Sequence, residues 1–363
     1  MRKIHFGILI PVLLLLTIGW LLVFSSSAYF SMARSGDAYF YIRRHSYFII
    51  AGLVLMTGAF FVNYRVYLKP GILIPFVIVT FVLMILTLII GETVNAARRW
   101  IVIAGVQFMP SDIAKIAIIL TMSATLSRFL ATKRRYIAIG VHLLIPMLLI
   151  ILTYAQPDFS TTVTLFVISA AMLFVGFDGW AYFIVLVGAA GGVFYLIAAL
   201  APYRVSRITT FFAGLTDINE VARQIRYGIL AIASGGFLGV GPGESTFNKL
   251  YIPEPHNDMI VSTLGEEFGF VGIALVLLLF FILIVNIFRM ALDASTLYVR
   301  VMTTGIGSLI FTQMVINFGS TLGLVPPTGI GLPFISYGGT NMLVILGLVG
   351  ILLNIYASES RIR

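Results

Sequence analysis

The chain has 363 residues, 60% of them hydrophobic and only 10% charged, with a mean hydropathy of +1.06. No soluble globular domain has this balance, which marks a polytopic membrane protein. The absence of cysteine excludes disulfides, thiolate metal sites and cysteine nucleophiles. The four histidines, His5, His45, His142 and His256, have no metal-binding spacing, so no metal site is expected. A net charge of +9 fits loops facing anionic lipid, and no nucleic-acid partner is expected.

Ten apolar segments are long enough to span a bilayer, near 6–26, 46–64, 71–90, 112–131, 137–155, 159–176, 180–200, 258–288, 299–321 and 338–356. The expected fold is therefore all-α, with about ten transmembrane helices in a single domain, 1–363. The N-terminus resembles a signal peptide, but its apolar run of about 19 residues can span, so it reads as an uncleaved first helix. An even count puts both termini on one side. Taking that side as cytoplasmic gives short inner loops rich in Lys and Arg, most clearly at KRRY, 133–136.

The outer segments are also basic, holding Arg34, Arg43, Arg44, Arg98, Arg99, Arg204, Arg207, Arg223, Arg226 and Lys249. Guanidinium groups pair bidentately with phosphate, so arginines on this face suit a phosphate-bearing substrate at the outer leaflet. The longest outer loop, about 201–257, joins the seventh and eighth spans. Its segment 224–234 has the length of an interfacial or re-entrant helix. The glycine-rich GGFLGVGPGES that follows lacks the Lys-Ser/Thr of a nucleotide-binding loop.

Four motifs carry chemistry. In VNAARRWI and QFMPSDIAK, Trp100 stands where an interfacial anchor would, Ser111 reads as a helix N-cap and Asp112 falls in the first turn. Asp112 and Lys115, three apart, share a face and can pair; Lys115 then faces either a structural partner or an outward cavity. AQPDFST, 155–161, reads as a tight turn. NFGSTLGLVPPTGIGLPFISYGGTN, 317–341, is dense in Gly, Pro, Ser and Thr. Such backbone is tolerated at membrane depth only when buried in protein or lining a cavity, so it and Ser336 are expected in a cavity wall.

The fourth motif, YIPEPHNDMIVSTLGEEFG, 251–269, is the most informative. A charge at membrane depth costs at least about 2.5–3.5 kcal/mol, so it is rarely kept without function. Asp258 follows two prolines and is expected in the first helical turn, where the dipole favours a carboxylate. His256 is the competing base, since its ordinary pKa suits proton transfer. Glu266 lies about 80° around the helix from Asp258 and Glu267 about opposite. Both are expected in structural roles, and Glu254 as a solvated loop residue.

These five motifs, AARRWI, QFMPSDIAK, AQPD, YIPEPHNDMIVSTLGEEFGFVG and GLPFISYGGT, occur in the order found in the SEDS (shape, elongation, division and sporulation) family, which includes FtsW, RodA and SpoVE. The chain resembles the FtsW/SpoVE branch more than RodA. The resemblance implies a ten-helix peptidoglycan glycosyltransferase of the inner (cytoplasmic) membrane. It would polymerise lipid II at the outer face with a class B penicillin-binding protein and other divisome or elongasome membrane proteins. Asp258 matches the family's essential aspartate, while Arg44, Arg98, Arg99 and Lys115 match its basic positions around the outer cavity. His256 is added as a candidate substrate contact. Departures from the family pattern are Asn257 for Thr, Asp112 for Glu, Ala96 for Gly, Gly331 for Pro and Thr340-Asn341 for Ser-Ser. A divalent cation, Mg2+ or Mn2+, could screen a pyrophosphate, although no Asp-x-Asp motif marks a site for it. A lipid II flippase and a non-catalytic scaffold for the penicillin-binding protein are the rival readings.

Overall fold

The computed structural model describes residues 3–94, 97–103, 106–129, 135–177, 188, 223–326 and 328–360. The expected seventh span near 180–200, the loop arginines Arg204 and Arg207, Lys133 and Arg134 lie outside the described residues. Among the described residues, eleven α-helices run in chain order: α1 Phe6–Ser35, α2 Phe40–Phe61, α3 Pro70–Ile90, α4 Pro110–Phe129, α5 Arg135–Ala155, α6 Phe159–Phe177, α7 Arg223–Gly235, α8 Phe247–Leu250, α9 Ile260–Leu292, α10 Leu297–Thr321 and α11 Thr340–Glu359. Seven of them, α1, α2, α3, α6, α9, α10 and α11, are long and apolar enough to cross a membrane. Helices α4 and α5 have spanning length at 20 and 21 residues, although α4 carries Asp112, Lys115 and Arg128.

Local chemistry sets several boundaries. Pro70 opens α3, where its missing N–H is no loss. The Thr296 side chain accepts the Val299 N–H at 3.4 Å and starts α10. Gly36, at φ 71°, closes α1 in the left-handed region. Helix α1 thus runs nine residues past its apolar segment, and α2 starts six residues before its own. Arg34, Arg43 and Arg44 therefore stand on helix ends rather than in a loop.

Among the described residues the helices are joined by one β element. Glu92–Val94 (β1), Ala97–Ile103 (β2) and Val106–Phe108 (β3) form an antiparallel sheet in the order β1-β2-β3, with Trp100 opposite Glu92 and Ile101 opposite Phe108. Arg98 and Arg99 are accordingly on a strand, not in an open loop. A connection that leaves α3 and re-enters at α4 must satisfy its own backbone, and the β-branched run of β2 does so by pairing.

Helices α10 and α11 are largely buried, with α6 and α4 against α10 and α2 against α11. Helix α7 lies along α9 through a small-residue contact. A Cβ on Gly235 would stand 1.9 Å from the Gly265 carbonyl oxygen. The segment after α7 supports a break in α9. Gly269 adopts φ 62°, ψ −160°, which interrupts the helical ladder. The Phe270 and Val271 N–H groups bond instead to the carbonyls of Gly236 and Phe237, at 3.0 and 3.2 Å. The Glu266 and Glu267 carbonyls accept from Val240 and Gly241, at 2.9 and 3.1 Å. Irregular backbone is stable here because the two segments complete each other's hydrogen bonds.

Candidate active site

Asp258 does not sit in the first helical turn as its sequence context predicts. Helix α9 begins at Ile260, and Asp258 lies in the preceding turn, half-buried. The segment from Pro253 to Met259 is a run of bends and turns, with Glu254 at φ 47° and the Asn257 N–H donating to the Glu254 carbonyl at 3.0 Å, and the helix starts only after it. Its carboxylate Oδ1 accepts from Gln224 Nε2 of α7 at 3.5 Å. Its main-chain carbonyl accepts from Asn317 Nδ2 of α10 at 2.8 Å. Burial pushes the Asp258 carboxyl up to about 6. The Glu254 charge adds to the rise, while the Gln224 hydrogen bond works against it. Glu254 is half-exposed, at 3.8 Å from Arg34 Nη1, and its Oε2 accepts from Asn257 Nδ2 at 2.8 Å.

His256, the candidate substrate contact, is packed inside the fold and only 1% exposed. Its ring packs against Tyr41 at 4.5 Å and, edge to face, against Tyr337 at 5.5 Å. Burial, with a smaller contribution from His45, holds its imidazole down at about 4, so the ring is neutral at neutral pH. Its carbonyl accepts the Tyr337 N–H at 2.9 Å. His256 therefore fixes the chain two residues before Asp258. Arg44 joins the same cluster, with its guanidinium 4.6 Å from the Phe40 ring centroid and a hydrogen bond to Tyr337.

The basic residues divide by environment. Arg98 is exposed, its Nε 3.1 Å from Thr93 Oγ1. Arg99 donates through Nη2 to the Pro157 carbonyl and lies 3.8 Å from Asp158 through Nη1. Asp158 is 1% exposed and also bonds Ser111 Oγ at 3.4 Å and the Thr161 N–H at 3.2 Å. The AQPD segment, which reads as a plain turn, is thus the anchor that holds Arg99. Ser111 is not the N-cap but lies inside α4, behind Pro110. Lys115 does pair with Asp112, at 2.6 Å, but it is buried rather than open to a cavity. It donates also to Asn341 Oδ1 at 3.0 Å. The shorter Asp112 side chain and Asn341, two departures from the family pattern, meet on one ammonium.

The two glutamates take structural roles. Glu266 caps α8, accepting the Thr246 and Phe247 N–H groups through Oε1, at 2.7 and 3.3 Å, and the Ser245 hydroxyl through Oε2. Glu267 accepts from Ser25 of α1. Ser336 is buried and accepts the Leu332 N–H at 2.7 Å, which shapes the 331–341 turn instead of presenting a hydroxyl to a cavity.

That turn gathers the separate motifs. Tyr337 reaches His256, Thr340 Oγ1 accepts the Met109 N–H at 3.0 Å, and Asn341 reaches Lys115. The sequence does not reveal Gln224 and Asn317 as partners of Asp258, nor Asp158 of the AQPD motif and Asn341 as partners of Arg99 and Lys115. Their signal is an amide or carboxylate at a helix end, which is common in any chain.

A polytopic helical protein with a buried polar network around one half-buried carboxylate has the arrangement of a membrane enzyme site. Comparison with known proteins agrees. The profile of the cell cycle protein family FtsW/RodA/SpoVE matches residues 7–361, and the chain belongs to that family. Stage V sporulation protein E of Bacillus subtilis (strain 168) is 35% identical over 357 residues, covering 96% of this chain and 95% of that one. The probable peptidoglycan glycosyltransferase FtsW of Geobacter sp. (strain M18) is 33% identical over 352 residues, again 96% and 95% of the two chains. A chain of a peptidoglycan synthase complex that coordinates polymerization and crosslinking superposes with a TM-score of 0.80, covering 99% of both chains at 23% identity. Crystalline Thermus thermophilus RodA superposes at 0.72, covering 98% and 97% at 23% identity. These two likenesses establish the fold.

Proposed function

We propose that this protein is a peptidoglycan glycosyltransferase that polymerises lipid II into β-1,4 glycan strands at the outer face of the cytoplasmic membrane, with both termini cytoplasmic. Asp258 accepts the proton of the GlcNAc 4-hydroxyl of an acceptor. That oxygen attacks the MurNAc anomeric carbon of a donor and forms the new C–O bond with inversion. The bond to undecaprenyl pyrophosphate breaks, and the pyrophosphate leaves with the electron pair. It is a good leaving group, so it needs positive charge rather than a protonating acid, and one carboxylate suffices where glycoside hydrolysis uses two.

The observation that carries this reading is the state of Asp258. The group stands outside the helix, half-buried, held by Gln224 and Asn317, with its carboxyl pushed up to about 6. A base is most effective when its pKa approaches the working pH. We assign the exposed Arg98 to the anionic leaving group, and Arg99, Lys115 and Arg44 to the frame around it. Among the described residues no three His, Cys, Asp or Glu side chains gather as a metal site. A divalent cation could screen the pyrophosphate charge, and no step is assigned to it. A class B penicillin-binding protein is the proposed partner, supported by the likeness to the synthase-complex chain. The flippase alternative loses its best support, since Lys115, Glu266 and Glu267 are bonded inside the fold rather than lining a path.

The test is lipid II polymerisation by the purified protein with its partner, comparing wild type with Asp258→Asn. Long strands from wild type alone are expected. No strands from wild type, with lipid II translocation in liposomes, would overturn the proposal.

A further inference from the structure

A cavity of about 490 Å³ opens between the outer end of α1 and helices α7 and α8. That volume lies in the range of small-ligand sites. Tyr29, Phe30 and Tyr251 form apolar walls, and Arg223 and Lys249 stand at the exposed rim. Gln224 lines the same cavity and is the residue that hydrogen-bonds Asp258. The void and the candidate base therefore share one side chain.

Asn248, also lining the cavity, supplies the chemistry. It is only 7% exposed, and its Nδ2 has no hydrogen-bond partner among the described residues. The group is not loose. Thr263 Oγ1 donates to Asn248 Oδ1 at 3.0 Å, and the Asn248 N–H donates to Ser245 Oγ at 3.1 Å. Ser245 is in turn bonded to Glu266 of α9. Thr263 thus holds the side-chain amide through its oxygen, Ser245 holds the backbone beside it, and the Nδ2 donors are left without a partner among the described residues. A buried donor left unpaired is costly, so an oxygen acceptor that reaches it recovers that loss.

We infer that this cavity is the subsite for the acceptor sugar of the lipid-linked substrate, with Asn248 Nδ2 donating to an acetamido or hydroxyl oxygen of that ring. The assignment rests on the glycosyl-transfer reading above. The hydroxyl that Asp258 deprotonates must come within about 2.6–3.2 Å of the carboxylate, and Gln224, which lines the cavity and bonds that carboxylate, is the link between a ring held in the cavity and the base. Aromatic faces suit the C–H surface of a sugar, and a neutral amide inside the cavity suits its oxygens. The cations stand at the rim, where a lipid-linked diphosphate would pass. A subsite for the diphosphate itself would place its charges inside.

Two variants separate the possibilities. Asn248→Asp keeps the oxygen that Thr263 donates to and replaces the free donor with an acceptor. Tyr251→Ala removes an aromatic wall at the 42%-exposed rim, where folding does not depend on a buried side chain. Binding of lipid II and of undecaprenyl pyrophosphate, which lacks the sugars, is measured on the full-length protein in detergent. Each variant is expected to weaken lipid II binding about tenfold, the loss that corresponds to about 1.4 kcal/mol, and to leave undecaprenyl pyrophosphate binding unchanged. Equal weakening of both ligands would make the cavity a diphosphate site and overturn the inference, as would unchanged binding of both by a folded Tyr251→Ala protein. Binding does not require turnover. Sugar-dependent binding without polymerisation by wild type would defeat the proposed reaction while leaving the subsite standing.

Discussion

Asn317 Nδ2 donates to two main-chain carbonyls, those of Asp258 and Ile330, each at 2.8 Å. One amide on α10 thus joins the turn carrying the candidate base to Ile330, just before the 331–341 turn. Asn317→Ala leaves both oxygens without this donor, at a cost of about 1–3 kcal/mol for each that stays buried. The base then loses its fixed position, and a displacement near 1 Å costs about a hundredfold in rate. Turnover should fall by that order while lipid II binding changes little, measured as strand synthesis beside equilibrium binding. Wild-type turnover in this variant would show that the strut is dispensable.

The pH dependence follows from Asp258. Its carboxyl must be ionised to accept a proton, so the rate should fall as pH drops through about 6. Glu254 raises this value, so Glu254→Gln should move the acidic limb to lower pH. Gln224 stabilises the anion, so Gln224→Leu should move it to higher pH. A limb that ignores both substitutions would assign the titration to another group.

Lys115 and Asp112 are a buried pair at 2.6 Å. Lys115→Met strands a carboxylate and should destabilise the protein by about 3–5 kcal/mol. Adding Asp112→Leu removes the stranded charge, and most of the loss should return in thermal unfolding of the detergent-solubilised protein. If the double variant were no more stable than Lys115→Met, the pair would not be the source of the cost.

Helix α7 depends on having no side chain at Gly235, where a Cβ would stand 1.9 Å from the Gly265 carbonyl. Gly235→Ala should push α7 from α9 and cost about 1–3 kcal/mol through overpacking. Because α7 carries Gln224, the same variant should raise the acidic limb of the rate profile. Gly71 is the control site for alanine, since a Cβ there would meet nothing within 4 Å. Equal effects at the two glycines would detach the Gly235 result from the α7–α9 contact.

Much of the helical layout is legible in the residues, because an apolar run of spanning length has few other stable conformations. Helix ends are less so. Asp258 looks like a first-turn carboxylate, yet the turns before it and the bond from Asn317 keep it outside α9. The sheet at 92–108 is hard to read because short strands give weak patterns beside strong apolar runs. Asp158 reads as part of a plain turn and Asn341 only as a departure from the family pattern. Their importance comes from Arg99 and Lys115, which are 59 and 226 positions away in the chain.

Hydropathy and motif order are properties of neighbouring residues. They suffice for the membrane class and the family. Which charges remain open is settled only in three dimensions. Folding buries His256 and Lys115, ties Glu266 to α8 and leaves Asn248 with a free donor. Hydrogen bonds between distant segments depend on where the chain brings them together, and no local pattern encodes that.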